Sequence, residues 1–298
     1  MTNQIIQAIL LGGYYALIAC GLSFMFSIMK IINLAHGSLL VLSSYLFWWL
    51  ADSYAISPFY SLSIVIPIMM MIGWALQEFL LQKSARGGEL LPILTTFGLA
   101  IVLENLLFEY FGADTRSLAP YIGDLSWESW QILTDIYVGK TSVYILLSAI
   151  SLLASLQLFM QKTAMGRQIR ATAHDPDTAG LIGINARKAS AIAAAIALGT
   201  IAISGLAMSI RGVFDAYSGG PQLLFAFEVT IIGGMGSLWG VLLGGIVLAM
   251  AQTIGASIHP QGFLIGGHVI FFVILLARLY MANSVIAIRI KKVFGGLR

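Results

Sequence analysis

Apolar stretches of about twenty residues recur from end to end of the chain, near 5–28, 31–51, 58–81, 91–112, 141–161, 189–210, 235–258 and 263–286, with short polar connections between them. A hydrocarbon core about 30 Å thick takes about 20 residues of helix. The pattern therefore predicts an all-α integral membrane protein, a polytopic helical bundle of about eight full spans. One segment breaks the rhythm. Residues 212–234, GVFDAYSGGPQLLFAFEVTIIGG, hold an apolar run after Gly219-Gly220-Pro221 that is too short for an ordinary span, and a half-helix or broken helix is predicted there. Irregular backbone at membrane depth survives only when packed in protein or lining a wet cavity, so this segment is also a candidate for a pathway through the membrane.

Composition agrees: 59% of the 298 residues are apolar, 10% are charged, and the mean hydropathy is +0.91. Soluble domains carry about 25% charged residues. With no polar block large enough for a separate core, residues 1–298 read as a single transmembrane domain. The start, MTNQII, lacks the positive region of a cleavable signal. Charge then orients the spans. Lys30, Lys83, Arg86, the cluster from Lys162 to Lys188, and the tail with Arg289, Lys291, Lys292 and Arg298 hold 12 of the 16 Lys and Arg residues. The positive-inside rule places those segments in the cytoplasm, with the N-terminus outside and the C-terminus inside. Eight spans starting outside would end outside, so a crossing is missing, and the broken segment 212–234 supplies it.

Two connections stand out. Residues 113–140, with Tyr121, Trp127, Trp130 and Tyr137, read as an external loop with interfacial aromatic anchors. Residues 162–188 form the longest inner loop. Within it Asp175 can cap a helix, Pro176 suits its first position and Gly183 can stop it; upstream, Thr163 can cap a second short helix carrying Arg167 and Arg170. A loop that only joins two spans has no need of such ordered content, so this one reads as a docking surface, with Ala179, Gly180 and Leu181 available for contact.

Polar groups inside apolar spans are the candidate pathway residues. Asn33 and His36, three apart in INLAHG, either share a helix face or flank a break near Gly37; they line a path or make interhelical hydrogen bonds. Glu104 and Asn105 lie deep in the fourth span, with Thr96 two turns earlier. An ionised carboxylate at the membrane centre costs about 2.5–3.5 kcal/mol, to be offset by a substrate cation, by a hydrogen bond from another helix, or by protonation. Gly236, Gly240 and Gly244 recur every fourth residue and read as a packing face, and Gly233-Gly234 as a turn. No metal is implied, since His174, His259 and His268 lack ligand spacing. Cys20 reads as a packing residue. Gly139-Lys140-Thr141 copies the end of a phosphate-binding loop, but Thr134 replaces the required glycine, and no catalytic motif is present.

The run GRQIRATAHDPDTAGLIGIN resembles the cytoplasmic coupling loop of bacterial ABC-importer permeases of the branched-chain amino acid family. INLAHG at 32–37 and IIGGMGSLWGVLLGG at 231–245 are similar to further patterns of that family, in the same order along the chain. Where many members place an acidic residue after His-Gly, this chain has Ser38. The resemblance implies a permease subunit of an ATP-driven importer for a branched-chain or other amino acid, in the bacterial inner membrane. It would bind no cofactor itself, and ATP would be hydrolysed by partner ABC ATPase subunits pressing on Arg167, Arg170, Asp175, Pro176, Ala179, Gly180, Leu181 and Gly183. A homologous or identical second permease chain and an external substrate-binding protein would complete the complex; nucleic acid has no part. Relatives also import urea and other small polar compounds. The rival reading is a secondary transporter driven by protons or sodium, with Glu104 as its coupling acid.

Overall fold

The computed structural model describes residues 2–88, 90–133 and 136–294. Arg298, Thr134 and the side chains of Arg289, Lys291 and Lys292 lie outside the described residues. In chain order the elements are α1 (Thr2–Met29), α2 (His36–Tyr54), α3 (Pro58–Ala85, π-helical over Leu76–Leu81) and α4 (Leu90–Phe111). A short hairpin of β1 (Ser129–Leu133) and β2 (Ile136–Gly139) leads into α5 (Lys140–Lys162), α6 (Ala164–His174) and α7 (Pro176–Leu181). Then follow α8 (Ala186–Arg211), α9 (Gly219–Gly233), α10 (Leu238–Ile258) and α11 (Gly262–Phe294). Among the described residues seven helices, α1, α3, α4, α5, α8, α10 and α11, are long and apolar enough to cross a membrane.

The two remaining long helices differ for local reasons. α9 has 15 residues, about 22 Å of helix, less than a hydrocarbon core. α2 begins at His36 and not near residue 31 as the apolar pattern suggested. Lys30, with φ of 56°, closes α1 in the left-handed region, and the Asn33 carboxamide oxygen takes the Ala35 N–H at 3.0 Å, a turn that competes with helix.

The bundle has two ends. At the hairpin end, Gln7 of α1 donates to the Tyr137 carbonyl of β2 at 3.1 Å and the Tyr121 hydroxyl donates to Asp52 of α2 at 2.7 Å. At the basic end, Phe24 and Ile28 of α1 pack with Ile169 of α6 and Ala189 of α8. The antiparallel pair α1 and α8 forms the centre. α8 is built largely of Ala, Gly and Ser, so the two backbones come close and the Ser204 hydroxyl donates to the Leu17 carbonyl across the pair at 2.7 Å. Between apolar helices in lipid, such close packing and interhelical hydrogen bonds supply the attraction that water supplies in soluble proteins. α3, α4, α5 and α11 turn apolar side chains outward.

Two halves of the chain repeat this arrangement upside down. Gly73 of α3 rests on Ala194 and Leu198 of α8, and Gly245 of α10 rests on Gly12 and Ala16 of α1. Ser27-Ile28, Asn33 and Gly37 recur at one constant offset as Ser209-Ile210, Asp215 and Gly219; at the same offset Gly12 and Ala16 correspond to Ala194 and Leu198. Both breaks use the same turn: as Asn33 accepts from Ala35 N–H, so Asp215 accepts from Tyr217 N–H at 2.9 Å. Helices α1–α4 thus correspond to α8–α11 with reversed direction, a repeat of the inverted kind found in transporters. Few side chains recur, which is why the repeat is visible only once the contacts are known.

The expected glycine face also needs correction. Gly240 and Gly244 do face α9, but Gly236 lies before α10, in a turn with φ of 88°, so the glycine face is two residues long, with Gly245 turned to α1. Gly234, with φ of 97°, ends α9 as the expected turn.

A side chain at Gly73 or Gly245 would meet carbonyl oxygens at 2.5 or 2.4 Å, whereas Gly98 of α4 faces open space. Gly73→Leu and Gly245→Leu should each destabilise the fold by about 1–3 kcal/mol or more and lower the yield of folded protein, while Gly98→Leu should leave it near wild type. Size-exclusion profiles of detergent-solubilised variants check this.

Candidate functional site

The two breaks meet. α2 and α9 start at mid-depth and diverge, and their first turns are in backbone contact: a methyl group on Gly37 would lie 2.0 Å from the Gly219 carbonyl oxygen, and one on Gly219 would lie 2.7 Å from the Gly37 carbonyl carbon. Depth is fixed by His36, whose Nε2–H donates to the Ile18 carbonyl in the middle of α1 at 2.7 Å. Several polar groups at the first break have partners. Asn33 Nδ2 reaches Met25 Sδ at 3.7 Å, and the Leu34 N–H donates to Thr96 Oγ1 of α4 at 3.1 Å. Asn33, His36 and Thr96 are all buried.

Glu104 and Asn105 lie further along α4 than Thr96. The Ser38 hydroxyl donates to Glu104 Oε1 at 2.8 Å, leaving the carboxylate half-exposed. Asn105 is exposed on the outside of the chain, its Nδ2 donating to the Ile101 carbonyl at 2.8 Å. Of the three ways to offset the Glu104 charge, the structure supplies one, the hydrogen bond from Ser38. The five residues therefore divide into three that hold the break together and two that face outward beside it.

A second polar cluster was not singled out from sequence. Glu228 of α9, 1% exposed, meets His268 Nδ1 of α11 at 2.5 Å. Nearby the Tyr15 hydroxyl donates to Gln252 Oε1 at 2.6 Å, and Arg211 stacks on Tyr14 with its guanidinium carbon 4.9 Å from the ring centre. The rule that flagged Glu104, a carboxylate in an apolar helix, applies equally to Glu228. It was hidden by the shortness of α9, which drew the reading to its glycines. Among the described residues no three His, Cys, Asp or Glu side chains converge as metal ligands.

At the basic end both expected caps form. Thr163 Oγ1 accepts from Gly166 N–H at 2.9 Å to start α6, and Asp175 Oδ1 accepts from the Asp177 and Thr178 N–H groups at 3.0 and 3.2 Å to start α7, with Pro176 first. Gly183, with φ of 83°, closes it. Ile169 is wholly buried and Ala179 faces inward, whereas Gly180 is exposed and Leu181 and Ile182 are 87% and 72% exposed. Arg167 and Arg170 are exposed on α6. The result is a small two-helix cap, anchored on one side and apolar on its free face. Beside it, Arg187 at the start of α8 pairs with Glu78 in the π-helical stretch of α3. The Thr178 hydroxyl, then the Thr178 and Asp177 N–H groups, hold the Asp175 carboxyl below its ordinary range.

Residues 4–287 match the family model described as branched-chain amino acid transport system / permease component. The chain is 25% identical over 281 residues to a high-affinity branched-chain amino acid transport system permease protein of Escherichia coli K12, covering 86% of each. It is 23% identical over 274 residues to the corresponding protein of Pseudomonas aeruginosa, covering 88% of each. A probable branched-chain amino acid transport permease protein of Methanocaldococcus jannaschii is 24% identical over 285 residues, covering 92% of this chain and 89% of its own. No solved structure matches the chain.

His268→Ala strands Glu228 in the bundle and should lower stability by about 3 kcal/mol, read as a fall in thermal midpoint; adding Glu228→Gln should recover part of it. A depressed carboxyl pKa stabilises α7 above the ordinary Asp value of about 4, and that contribution disappears as pH falls through the depressed value. Asp175→Ala should therefore raise amide exchange at Ala179 at neutral pH, and the difference from wild type should vanish in acid.

Proposed function

The chain belongs to the family of branched-chain amino acid transport system permease components, and from that premise we propose that it carries a branched-chain amino acid inward across the membrane. It is a multi-pass inner-membrane protein and a permease subunit of an ATP-driven importer. Partner ABC ATPase subunits supply the energy, an external binding protein delivers the substrate, and this chain pairs with a homologous or identical permease so that the path runs beside α4. Residues 1–298 act as one permease domain. An ion-coupled secondary transporter is not favoured.

The observation that carries this reading is the capped element at the basic end. A mere connection has no use for Leu181 and Ile182 in water, where burying each against a partner is worth about 1.5–3 kcal/mol. Pro176, the Asp175 cap and Gly183 make α7 stiff, and Ile169 seats α6 among Phe24, Met25 and Leu153 of the core. A push on Gly180, Leu181 and Ile182 would reach α1 and α8 without being absorbed by a loose loop, and Arg167 and Arg170 would pair with acidic groups at the rim of the ATPase.

The distribution of charge supports an orientation. Lys83, Arg86 and the cations from Lys162 to Lys188 lie at the end that carries α6 and α7, and the positive-inside rule favours the cytoplasm for that end. The hairpin end, with Asp114, Asp124, Glu128 and the exposed Trp127 and Trp130, then faces outward to the binding protein. Asn33, His36 and Thr96 set the shape of the path, and Glu104 and Asn105 border it.

Cys20, the single cysteine, is buried, so introduced cysteines report cleanly. Thr2→Cys should label from outside intact cells, and Leu181→Cys only after permeabilisation; the reverse would invert the topology. Gly180→Trp should insert normally, weaken ATPase binding at least tenfold and abolish uptake. Full uptake with normal ATPase binding would show that force enters elsewhere.

A further inference from the structure

Where α8 ends, a cavity of about 250 Å³ lies between Tyr14 and Tyr15 of α1, Arg211 of α8, Gln222 and Phe225 of α9, and Phe263 of α11. Drug-sized ligands occupy sites of about 300 Å³ and more, so this one suits a smaller molecule. Its lining joins a cation and a carboxamide to aromatic walls. Of Arg116, Lys140 and Arg211 at the hairpin end, Arg116 pairs with Asp114 and Lys140 with Glu128. Arg211 has no ion pair or hydrogen bond among the described residues, and its guanidinium carbon lies 4.9 Å from the centre of the Tyr14 ring. Tyr14 is buried, one turn along α1 from Ile18, the anchor of His36. The charge is therefore held within the depth of the bundle, where the ring face offsets its cost only in part. Beside it the Tyr14 hydroxyl donates to Gln222 Oε1 at 3.2 Å. That leaves Gln222 Nε2, unbonded among the described residues, as a second donor.

We propose that this cavity binds a small monocarboxylate with an apolar body, its oxygens on the Arg211 guanidinium and Gln222 Nε2 and its body against Tyr15, Phe225 and Phe263. A guanidinium offers a carboxylate two parallel N–H groups, which makes the pair both strong and oriented, and the anion supplies the charge that Arg211 lacks. The aromatic walls take the apolar body, each buried methylene adding to binding. Among the described residues no Asp or Glu lines the cavity. An ammonium would find no acidic partner there, so an organic acid suits the site better than a zwitterionic amino acid. No residue of α4 borders the cavity either, which sets it apart from the path proposed for the cargo. A phospholipid phosphate would meet the same two donors, and the measurements below separate the two sources of anion.

Gly212 borders the cavity, and a side chain there would meet nothing within 4 Å, so Gly212→Cys places a reporter in its wall while Cys20 stays buried. In the complete importer purified in detergent, a small water-soluble maleimide should label Gly212→Cys. Millimolar 4-methylpentanoate should slow that labelling roughly threefold or more, while its amide changes the rate little and leucine protects less well. Labelling of Thr2→Cys, outside the cavity, should respond to none of them. Arg211→Gln should abolish the protection, and Arg211→Lys, which keeps the charge but not the planar fork, should weaken it. The proposal is overturned if Gly212→Cys does not label, if the amide or leucine protects as well as the acid, if protection survives Arg211→Gln, or if added phosphatidylglycerol protects where the acid does not. The comparison of acid with amide keeps Arg211 in place, so it decides the question even where Arg211→Gln fails to fold.

Discussion

From the end of α1 at Met29 to His36, and from the end of α8 at Arg211 to Gly219, the chain runs inward without helix from the two ends of the bundle. Backbone N–H and C=O groups left unpaired at membrane depth would cost several kcal/mol each. The solution is the same at both breaks. A short carboxamide or carboxylate, Asn33 or Asp215, turns the chain by accepting from the amide two residues on, and neighbouring segments take up some of the rest. Thr96 accepts from Leu34, and the Arg116 and Phe214 backbones bond to each other. Once both breaks are satisfied, α2 and α9 can begin at mid-depth, and only glycine at 37 and 219 lets them begin in contact.

On the proposed reading, the junction of the half-helices would be the moving part. α2 is tied to α8 through the Ser44 hydroxyl and the Gly205 carbonyl at 2.9 Å, and α9 is tied to α11 through Glu228 and His268. The junction between them is a contact of small residues with little side-chain interlock. On that reading, a push arriving at α6 and α7 would enter the core at Ile169, which packs beside the basic end of α1; α1 in turn touches both half-helices. The inverted repeat makes the two faces of the junction near-equivalents, as alternating access to a central site requires.

Much of this was legible in sequence because it follows from one-dimensional signals. The long apolar helices follow from apolar length, and the two short helices α6 and α7 from Thr163, Asp175, Pro176 and Gly183, all local capping signals. The short α9 was found because its apolar run is too brief. The break before α2 was misplaced because residues 31–35 are mostly apolar, and hydropathy does not register that Asn33 prefers a turn. Glu228 and His268 pair across 40 positions, which no local pattern reveals. The repeat stayed hidden because it conserves places for small residues, not sequence. For Asn33, His36 and Thr96 the residue types indicated only that partners were required. Which partners they have, Ile18, Met25, Ala35 and Leu34, depends on how the helices pack.

The central claim is that this chain moves an amino acid because ATPase subunits push on its basic end. The most direct measurement is radiolabelled leucine uptake into proteoliposomes holding the chain with its ATPase and second permease partners, ATP inside and loaded binding protein outside. The account predicts accumulation that requires ATP and continues when proton and sodium gradients are collapsed. Leucine uptake by the chain alone, driven by an ion gradient and indifferent to ATP, would contradict it.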